Sequence, residues 1–282
     1  MAPAHPPPHI AVANHKGGVA KTSTTAGLAA AAAEAGHRVL VVDMDSQYNA
    51  TRRLRAALPA DPADRAAASL AGVLQSPARG EAARIVTPCG WGGIYSEHID
   101  VCPSDLDLEL LGLTAGLPGA ERRLLRALAG VVDAYDLVLI DCPPALLSHL
   151  VDNAWTASDY ILIPCEGEFE AVHGARRVVE RVARDRENLN PDLEILGIIP
   201  TRFRSTLSVH RTRLQDMEKL VGPDGVCPVK FPELAVMKTA TENALPLTHP
   251  RCGSEGRNMA ALFRDAYAWA RKRISHNQES NA

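Results

Sequence analysis

The sequence lacks the features that would place the chain in an oxidising or membranous setting. Its six cysteines are scattered, with no C-x-x-C pair and no histidine-rich neighbourhood, which argues against a zinc site and against a disulfide framework. No apolar run reaches the roughly 18 to 20 residues that span a bilayer, and the start, MAPAHPPPHI, lacks the charged and apolar regions of a signal peptide. We therefore expect a soluble, cytoplasmic protein without stable membrane association.

A strong charge of one sign is also missing. The formal net charge is −3, from 30 basic and 33 acidic residues, so any binding to nucleic acid or to anionic membrane must come from a local patch. At 282 residues and 46% apolar content, the chain can bury a full core. We predict a single domain over residues 9–274, with disordered tails at 1–8 and 275–282.

Short β-branched apolar runs alternate with turns and longer helical stretches along the chain. Continuous hydrophobic runs are typical of strands buried on both faces of a parallel sheet, and the alternation implies right-handed β-α-β crossovers. The predicted fold is α/β, a doubly wound, mostly parallel β-sheet flanked by helices on both faces, with residues 76–97 as a surface excursion. The strand candidates are 9–14, 38–43, 98–104, 135–144, 159–165, 193–201 and 225–232, and the helix candidates are 22–36, 119–134, 169–185, 205–221 and 254–274.

The stretch VANHKGGVAKTST, residues 12–24, predicts a phosphate-binding loop, although it departs from G-x-x-x-x-G-K-[ST] at His15 and Ala20. A loop between a buried strand and a helix directs backbone N–H groups and the positive end of the helix dipole at one point, which suits phosphate. Ala20 adds one methyl group relative to glycine, and we expect the cradle to survive if its φ is negative.

The side chains of this loop suggest its chemistry. Gly17 and Gly18 allow close backbone approach, Lys21 is placed to reach terminal phosphate oxygens, and the Thr22 hydroxyl is a hard ligand for Mg²⁺. An additional lysine, Lys16, would repel Lys21 unless an anion arrives, and a nucleoside triphosphate of the same or a neighbouring subunit would supply that charge.

The segment KGGVAKTS, residues 16–23, is similar to the deviant Walker A motif K-G-G-V-G-K-T-[ST] of the ParA/MinD family of P-loop ATPases. VLVVDMDSQYNAT at 39–51 is similar to the family's V-D-x-D-P-Q-G-N-A-T, and YDLVLIDCPP at 135–144 resembles its Walker B strand. Residues 158–180 resemble the stretch that reads A-D-x-x-L-I-P before a helix in partition ATPases. The four motifs occur in the family's order, the resemblance covers nearly the whole chain, and the second motif favours the ParA side over the MinD side.

The resemblance implies ATP and Mg²⁺ as cofactors, with Lys16, Lys21 and Asp45 as catalytic residues. Asp45 would orient the attacking water, unless it is an ordinary helix N-cap. The resemblance implies that Thr22 and, through water, Asp141 hold magnesium, while Asp43 holds magnesium-bound water or the loop itself. For Asp141, a purely structural role is the alternative. The predicted nucleotide-binding residues are Lys16, Gly17, Gly18, Val19, Ala20, Lys21, Thr22, Ser23, and, toward the base, Thr201, Arg202, Phe231, Pro232 and Glu233.

By the same resemblance, Lys16 reaches across an ATP-bound sandwich homodimer to the phosphates of the other subunit. The implied function is partition of a chromosome or plasmid. The dimer would bind nucleoid DNA without sequence preference, and a ParB-like partner would stimulate its slow hydrolysis. The chain departs from the family at Ser46 and Tyr48, which replace Pro and Gly, and at Glu233 and Val236, which replace DNA-facing arginines.

Nonspecific DNA binding needs several cations on one face. The candidates are Arg202, Arg204, Arg211, Arg213, Lys238 and Arg257, and the alternative is that these residues only solvate helix faces.

Two other functions remain open. One is a positioning or regulatory ATPase that acts on a protein or membrane surface. The other is a metabolic P-loop ligase that activates a carboxylate with phosphate. The presence of Lys16 argues against this ligase function.

Overall fold

The computed structural model describes residues 6–281, and it is built around one seven-stranded sheet. The order across the sheet is β3-β4-β2-β5-β1-β6-β7, with β3 antiparallel to β4 and every other neighbouring pair parallel. This confirms the predicted α/β, doubly wound, mostly parallel architecture. The strands are β1 (His9–Val12), β2 (Val39–Asp43), β3 (Thr87–Pro88), β4 (Ile99–Cys102), β5 (Leu137–Asp141), β6 (Tyr160–Glu166) and β7 (Glu194–Thr201).

Helices cover both faces of the sheet. The α-helices are α1 (Lys21–Glu34), α2 (Asn49–Arg53), α3 (Pro62–Ala67), α4 (Leu70–Val73), α5 (Ile94–His98), α6 (Arg123–Leu128), α7 (His149–Thr156), α8 (Phe169–Leu189), α9 (Ser208–Val221), α10 (Ala235–Glu242) and α11 (Gly253–Asn281). Short 3-10 segments lie at Glu81–Arg84, Leu106–Thr114, Ala120–Arg122, Val132–Ala134, Pro223–Gly225 and Pro250–Cys252.

The strands are buried on both faces because their successive side chains enter two separate hydrophobic cores. In β2, Leu40 and Val42 face the core formed with α4 and α6 to α9, while Val39 and Val41 face the core formed with α1, α2, α5, α10 and α11. The two-residue period of a strand therefore explains why β2 reads as an unbroken apolar run.

The parallel strands bring the candidate residues to one edge of the sheet. β1 lies between β5 and β6, so the loops that follow β1, β2, β5, β6 and β7 all leave from the same carboxyl edge. In a doubly wound sheet, the crevice at the point where the strand order reverses is the usual place for a ligand.

The predicted strand at 225–232 is wrong. Val226 forms an isolated bridge with Ile198, and Cys227 N donates to Ile198 O (2.8 Å), but no further ladder develops. Pro228 has no N–H to donate, so the segment follows the edge of β7 without becoming a strand. It returns to β7 only where Phe231 N donates to Pro200 O (3.0 Å).

Other boundaries differ from the predictions. The continuous helix expected at 119–134 is broken into α6 and two 3-10 segments, because Gly130 has a φ of 81°. The excursion at 76–97 contributes β3 to the sheet edge. Residues 275–281 continue α11, contrary to the expected disordered tail. Of the predicted N-terminal tail, residues 1–5 lie outside the described residues, as does residue 282, and Pro8 O accepts a hydrogen bond from Val138 N (3.0 Å).

Candidate functional site

The loop between β1 and α1 turns through two residues with left-handed backbone. Gly18 has a φ of 81°, and Ala20, the residue before α1, has a φ of 68°. The condition that we set for Ala20, a negative φ, is therefore not met. The left-handed conformation costs a residue with a Cβ about 1–2 kcal/mol. The turn is nevertheless closed, because Thr24 N donates to Ala20 O (2.8 Å).

Lys21 is folded back onto this loop. Its ammonium donates to the carbonyls of Asn14 (3.4 Å) and Lys16 (3.2 Å), and the side chain is buried. Burial lowers the pKa of Lys21, while the nearby charge of Asp141 acts in the opposite direction. A partly desolvated ammonium at the centre of a loop of backbone N–H groups is a strong electrostatic partner for phosphate.

Asp141, at the end of β5, receives two hydroxyl groups of α1. Thr22 Oγ1 donates to Asp141 Oδ2 (2.7 Å), and Thr25 Oγ1 donates to Asp141 Oδ1 (3.0 Å). Burial raises the pKa of Asp141, and the two threonine hydroxyls oppose that rise. A buried carboxylate beside a threonine hydroxyl offers the hard oxygen ligands that Mg²⁺ prefers.

Asp43 is occupied by the loop that follows β2. Its carboxylate accepts hydrogen bonds from Thr51 N (2.8 Å), Thr51 Oγ1 (2.7 Å) and Asp45 N (3.2 Å). Burial raises the pKa of Asp43, and the charge of Asp141 adds to the rise. Of the two roles predicted for Asp43, the contacts favour holding the loop over holding magnesium-bound water.

Asp45 lies on the same loop and lines the cavity in front of Lys21 and Thr22. Its carboxylate accepts a hydrogen bond from Gln47 N (3.0 Å), but it is not the N-cap of α2, since that position belongs to Tyr48. The alternative reading as an ordinary helix cap is therefore wrong, and the carboxylate is placed at the cavity wall.

The two departures in this loop have separate structural effects. Ser46 Oγ donates to Glu109 Oε1 (2.7 Å), which ties the loop to the 3-10 segment Leu106–Thr114. Tyr48 has a φ of 42°, in the region that glycine occupies without strain. The family glycine that Tyr48 replaces would suit that backbone.

Lys16 is neutralised within its own chain. Its ammonium lies 2.7 Å from Glu168 Oε2 and 3.3 Å from Glu166 Oε2, and Glu166 Oε1 also accepts from the Arg202 guanidinium (2.9 Å). Burial lowers the pKa of Lys16, but the hydrogen bonds to Glu168 and Glu166 outweigh it and raise the pKa overall. Carboxylates of the protein itself therefore offset the repulsion expected between Lys16 and Lys21.

Two neighbouring cavities adjoin the loop, and they share Ala20, Ser23, Arg202, Thr241 and Glu242. The first, about 550 Å³, is lined by Gly17, Gly18, Ala20, Lys21, Thr22, Ser23, Asp45, Gln47, Asn49, Arg52, Arg53, Pro144, Arg202, Thr241, Glu242 and Ala244. The second, about 640 Å³, is lined by Ala20, Ser23, Thr24, Thr201, Arg202, Phe231, Pro232, Glu233, Leu234, Ala235, Met237, Lys238, Thr241, Glu242, Met259 and Phe263. We call them the phosphate cavity and the base cavity.

All five residues predicted for base contact line the base cavity, which brings them next to the phosphate loop. Thr201 Oγ1 donates to Val19 O (3.2 Å), so the end of β7 also supports the loop. Phe231 packs on Phe263 with ring centroids 4.5 Å apart. An apolar, partly aromatic wall continuous with a cationic loop can hold a planar base and its phosphates together.

Sequence reasoning missed the pair of glutamates on Lys16 and the contribution of α10. Glu166 and Glu168 follow the apolar run of β6, and their only sequence signal is two carboxylates at the end of a buried strand. Thr241 and Glu242 lie in a stretch that we considered only for the family arginines that it lacks. Its amphipathic pattern predicts a helix that packs against the site.

Most of the predicted DNA-binding residues have acidic partners. Arg202 pairs with Glu166 (2.9 Å), Arg204 with Glu233 (2.8 Å), Arg213 with Asp216 (3.0 Å) and Lys238 with Glu242 (3.7 Å). Arg211 donates to Ser205 O (3.4 Å), and Arg257 is exposed. These pairs lower the positive potential that the six cations would otherwise present together.

No cluster of three or more His, Cys, Asp or Glu side chains that could enclose a metal occurs between residues 6 and 281. Mg²⁺ commonly takes one or two protein ligands and completes its shell with phosphate oxygens and water, so Thr22 and Asp141 fit it. Within that same described part of the chain, no helix combines the length and apolarity required to cross a bilayer.

Comparison with known proteins gives one matching family and a consistent set of relatives. The AAA domain family AAA_31 matches residues 8–195. The chromosome partitioning protein ParA of Caulobacter vibrioides is 35% identical over 204 residues, 71% of this chain and 72% of that protein. The chromosome-partitioning ATPase Soj of Thermus thermophilus is 37% identical over 195 residues, 69% of each chain.

Solved structures share the architecture over most of the chain. Cobyrinic acid a,c-diamide synthase from Mycobacterium smegmatis, with bound ADP and magnesium, has a TM-score of 0.67 at 30% identity and covers 88% of this chain and 96% of its own. A plasmid partition protein from Borrelia burgdorferi has a TM-score of 0.69 at 21% identity and covers 95% of this chain and 100% of its own. At that identity the second likeness shows the fold alone.

Proposed function

Because the chain belongs to the ParA family of P-loop ATPases, we propose that it is a Mg²⁺-dependent ATPase whose ATP-bound form dimerises and binds DNA, and whose hydrolysis ends that state. The observation that carries the proposal is the convergence of Lys21, Thr22 and Asp45 on one cavity at the carboxyl edge of the sheet. Asp141 is hydrogen-bonded to Thr22, and the carbonyl of Lys16 accepts from Lys21 in the same loop. Phosphoryl transfer depends mainly on positioning and charge, and these residues supply both.

In this proposal the loop residues 16–23 bind the phosphates of ATP, and Thr201, Arg202, Phe231, Pro232 and Glu233 surround the base. Lys21 would exchange its bonds to the carbonyls of Asn14 and Lys16 for phosphate oxygens. Asp45 would hold the attacking water in line with the terminal phosphate. The neighbour at 30% identity supports ATP as the cofactor, since it was solved with bound ADP and magnesium.

Mg²⁺ would bind beside Thr22, with Asp141 holding a ligand water. When bound, the ion neutralises charge on the phosphates. The chain's own contribution is to keep the Thr22 hydroxyl and the Asp141 carboxylate together, 2.7 Å apart, in a buried setting. Thr25 fixes the second carboxylate oxygen, so the group cannot rotate away from the site.

Lys16 supports the dimer as the ATP-bound state. Its side chain is 28% exposed and its ammonium pairs with Glu166 and Glu168, so the ammonium can leave these partners for the phosphates of a second subunit without crossing the core. Exposed apolar residues on the loops after β5 and β7, and at the starts of α8 and α9, support burial of this edge by a second copy. These residues are Leu147 (82% exposed), Phe169 (63%), Leu207 (40%) and Val209 (53%).

Two variants test the ATPase and the dimer together. Lys16→Ala should bind ATP but fail to dimerise with it, while Asp45→Ala should dimerise with ATP and hydrolyse it at least about 100-fold more slowly. Lys272→Ala, an exposed lysine of α11, is the matched control. Molar mass by light scattering with ATP or ADP, and phosphate release with Mg²⁺, measure the two properties. A Lys16→Ala protein that dimerises with ATP as the wild type does would contradict the proposed role of Lys16 in the dimer.

DNA binding, stimulation by a ParB-like partner and a nucleoid location are the further parts of the proposal. Arg211 and Arg257 are the candidates without an acidic partner among the described side chains, so they are the first to test. We expect Arg211→Glu with Arg257→Glu to weaken ATP-dependent DNA retention about tenfold or more at low salt. Arg122→Glu, which lines a cavity shared with His9 at the start of β1, should leave DNA retention unchanged.

A positioning or regulatory ATPase that acts on a protein surface is the second candidate. The observation that favours it is the internal pairing of Arg202, Arg204, Arg213 and Lys238 with acidic residues. Wild-type protein that dimerises with ATP yet is not retained on DNA at low salt would select this candidate. A metabolic ligase is the less favoured alternative, and ATP hydrolysis without any small-molecule acceptor would exclude it.

A further inference from the structure

Two adjacent arginines of α2 have opposite environments. The helix is only five residues long, Asn49–Arg53, and follows the loop that carries Asp45. Arg53 is buried, with 4% of its surface exposed, whereas the neighbouring Arg52 is exposed to solvent. Both arginines line the phosphate cavity and neither lines the base cavity, so α2 belongs to the phosphate end of the site.

Arg53 fixes α2 against the end of α10. Its guanidinium donates to the carbonyls of Ala240 and of Leu245, the second at 2.6 Å, and lies over the Trp91 ring at 5.3 Å. Trp91 Nε1 in turn donates to Arg53 O (2.9 Å). A cation on the last carbonyls of a helix is favourable, and here it joins α10, which contributes Thr241 and Glu242 to both cavities, to the helix after Asp45.

Arg52 has no hydrogen-bonding or ionic side-chain partner among the residues that the structure describes. The neighbouring cations differ in this respect. Lys16 and Arg202 hold Glu166, and Lys21 donates to carbonyls of its own loop. An arginine left unpaired on the wall of a cavity that also contains Lys21, Thr22 and Asp45 is available for an anionic ligand.

We propose that Arg52 is a nucleotide-binding residue whose guanidinium contacts the terminal phosphate of ATP bound on the loop 16–23, and that Arg53 is the positioning residue that holds it there. The guanidinium matches phosphate oxygens in a bidentate geometry. Asp45, seven residues before Arg52, lines the same cavity and is the residue that we propose holds the attacking water beside the terminal phosphate. This inference rests on the proposed function, since it requires ATP in the site.

The test compares a triphosphate with a diphosphate in Arg52→Ala. A charge-assisted hydrogen bond contributes about 1.5–3 kcal/mol, which corresponds to roughly 10- to 150-fold in affinity. We expect affinity for a nonhydrolysable ATP analogue with Mg²⁺ to fall about tenfold or more, and affinity for ADP to change less than about threefold. Arg52→Lys should lose less than Arg52→Ala. Arg55→Ala removes an exposed arginine just beyond α2 that does not line the cavity, so it is the matched control and should bind both nucleotides normally.

Arg53→Gln tests the positioning role. In Arg53→Gln the affinity for the ATP analogue should fall relative to the affinity for ADP, although Arg52 is intact. Arg53→Lys should keep part of this difference between the two affinities. A purely structural role of Arg53 would lower the melting temperature and leave the ratio of the two affinities unchanged, which would overturn that half of the proposal.

The outcomes separate this inference from the proposed function. Wild-type protein that binds both nucleotides, with Arg52→Ala unchanged or equally weakened for both, would overturn the role of Arg52 alone. Wild-type protein that binds neither nucleotide at millimolar concentration would overturn the proposed function, and the role of Arg52 with it.

Discussion

At the scale of single residues, two loops of the site, the nucleotide loop and the loop after β2, each contain a residue with a strained backbone. Ala20 and Tyr48 both have left-handed backbone, at φ values of 68° and 42°, and both occupy positions where the family motif has glycine. Each retains the turn because neighbouring hydrogen bonds fix it. Thr24 N holds Ala20 O, and Tyr48 N donates to Asp45 O (2.9 Å). Strain at a site loop is stable only when the surrounding structure determines it this strongly.

Ala20→Gly should therefore stabilise the protein. The left-handed backbone costs alanine about 1–2 kcal/mol, and the larger entropy of glycine in the unfolded chain returns about 0.5–1 kcal/mol of that. We expect the free energy of unfolding to rise by about 0.5–1 kcal/mol, with ADP affinity retained. Urea unfolding measures the first and calorimetric titration the second. A loss of stability would show that the Ala20 methyl group makes packing contacts that outweigh the strain.

At the scale of elements, α10 and α11 form a wall of the site that none of the four sequence motifs includes. α10 supplies Met237, Thr241 and Glu242 to the base cavity, and α11 supplies Met259 and Phe263. Both are held by contacts distant in sequence. Arg53 binds the carbonyls at the end of α10, and Gly27 of α1 lies so close to Phe263 that a Cβ there would meet the ring at 2.4 Å. A bulkier residue at position 27 would therefore push α11 away from α1.

Arg53→Met should show how much the α10 anchor contributes to stability. The change keeps much of the side-chain volume but removes the donor that Arg53 supplies to the Leu245 carbonyl in a buried place, while the Ala240 carbonyl keeps its bond from Leu245 N (2.9 Å). We expect a loss of about 2–3 kcal/mol in the free energy of unfolding by urea. Arg52→Met, one residue earlier and exposed, is the control and should change it by less than about 0.5 kcal/mol. Equal effects of the two changes would contradict the anchoring role.

The contact between α1 and α11 should respond to pH through His37. His37 Nε2 accepts a hydrogen bond from the Arg271 guanidinium (2.6 Å), His37 Nδ1 is bonded to the Tyr267 hydroxyl (3.1 Å), and Asp136 lies nearby. Burial lowers the pKa of His37, and the charge of Arg271 lowers it further, while Asp136 acts in the opposite direction. The unfolded chain then binds a proton that the folded chain resists, so stability is lost as the pH falls below about 6.5.

His37→Gln should lose less stability than the wild type between pH 7 and pH 5.5, measured as the shift of the urea midpoint. His98→Gln, on α5, serves as the control and should follow the wild type. A His37→Gln curve parallel to that of the wild type would rule out this histidine as the source of the acid sensitivity.

At the scale of the whole molecule, the carboxyl edge of the sheet is both the nucleotide site and the surface that we propose a second copy covers. The sheet order puts β1 between β5 and β6, so the phosphate loop is flanked by the loop after Asp141 and by the glutamates after β6. Lys16 lies between these parts and is held by its own chain. The monomer and the ATP-bound dimer would therefore compete for one ammonium group.

Glu168→Gln should shift this competition toward the dimer. Glu168 is exposed and pairs with Lys16 at 2.7 Å, and an exposed ion pair contributes about 0.2–1 kcal/mol. Releasing Lys16 should lower the protein concentration at which ATP-bound dimer reaches half by about two- to fivefold, measured by analytical ultracentrifugation. Glu170→Gln, an exposed glutamate on α8, is the matched control. A dimer weakened by Glu168→Gln would indicate that Glu168 acts across the interface instead.

The sequence by itself determined the alternation of strands and helices, the nucleotide loop and the order of its motifs, because periodicity and local turn chemistry act between near neighbours. It could not determine the pairing of Lys16 with Glu166 and Glu168, about 150 residues away, or the approach of α10 to α2 through Arg53. Those contacts arise only when the parallel sheet brings separate loops to one edge. The failure of the strand predicted at 225–232 was also decided there, since most of the ladder hydrogen bonds that this segment would need with β7 are missing.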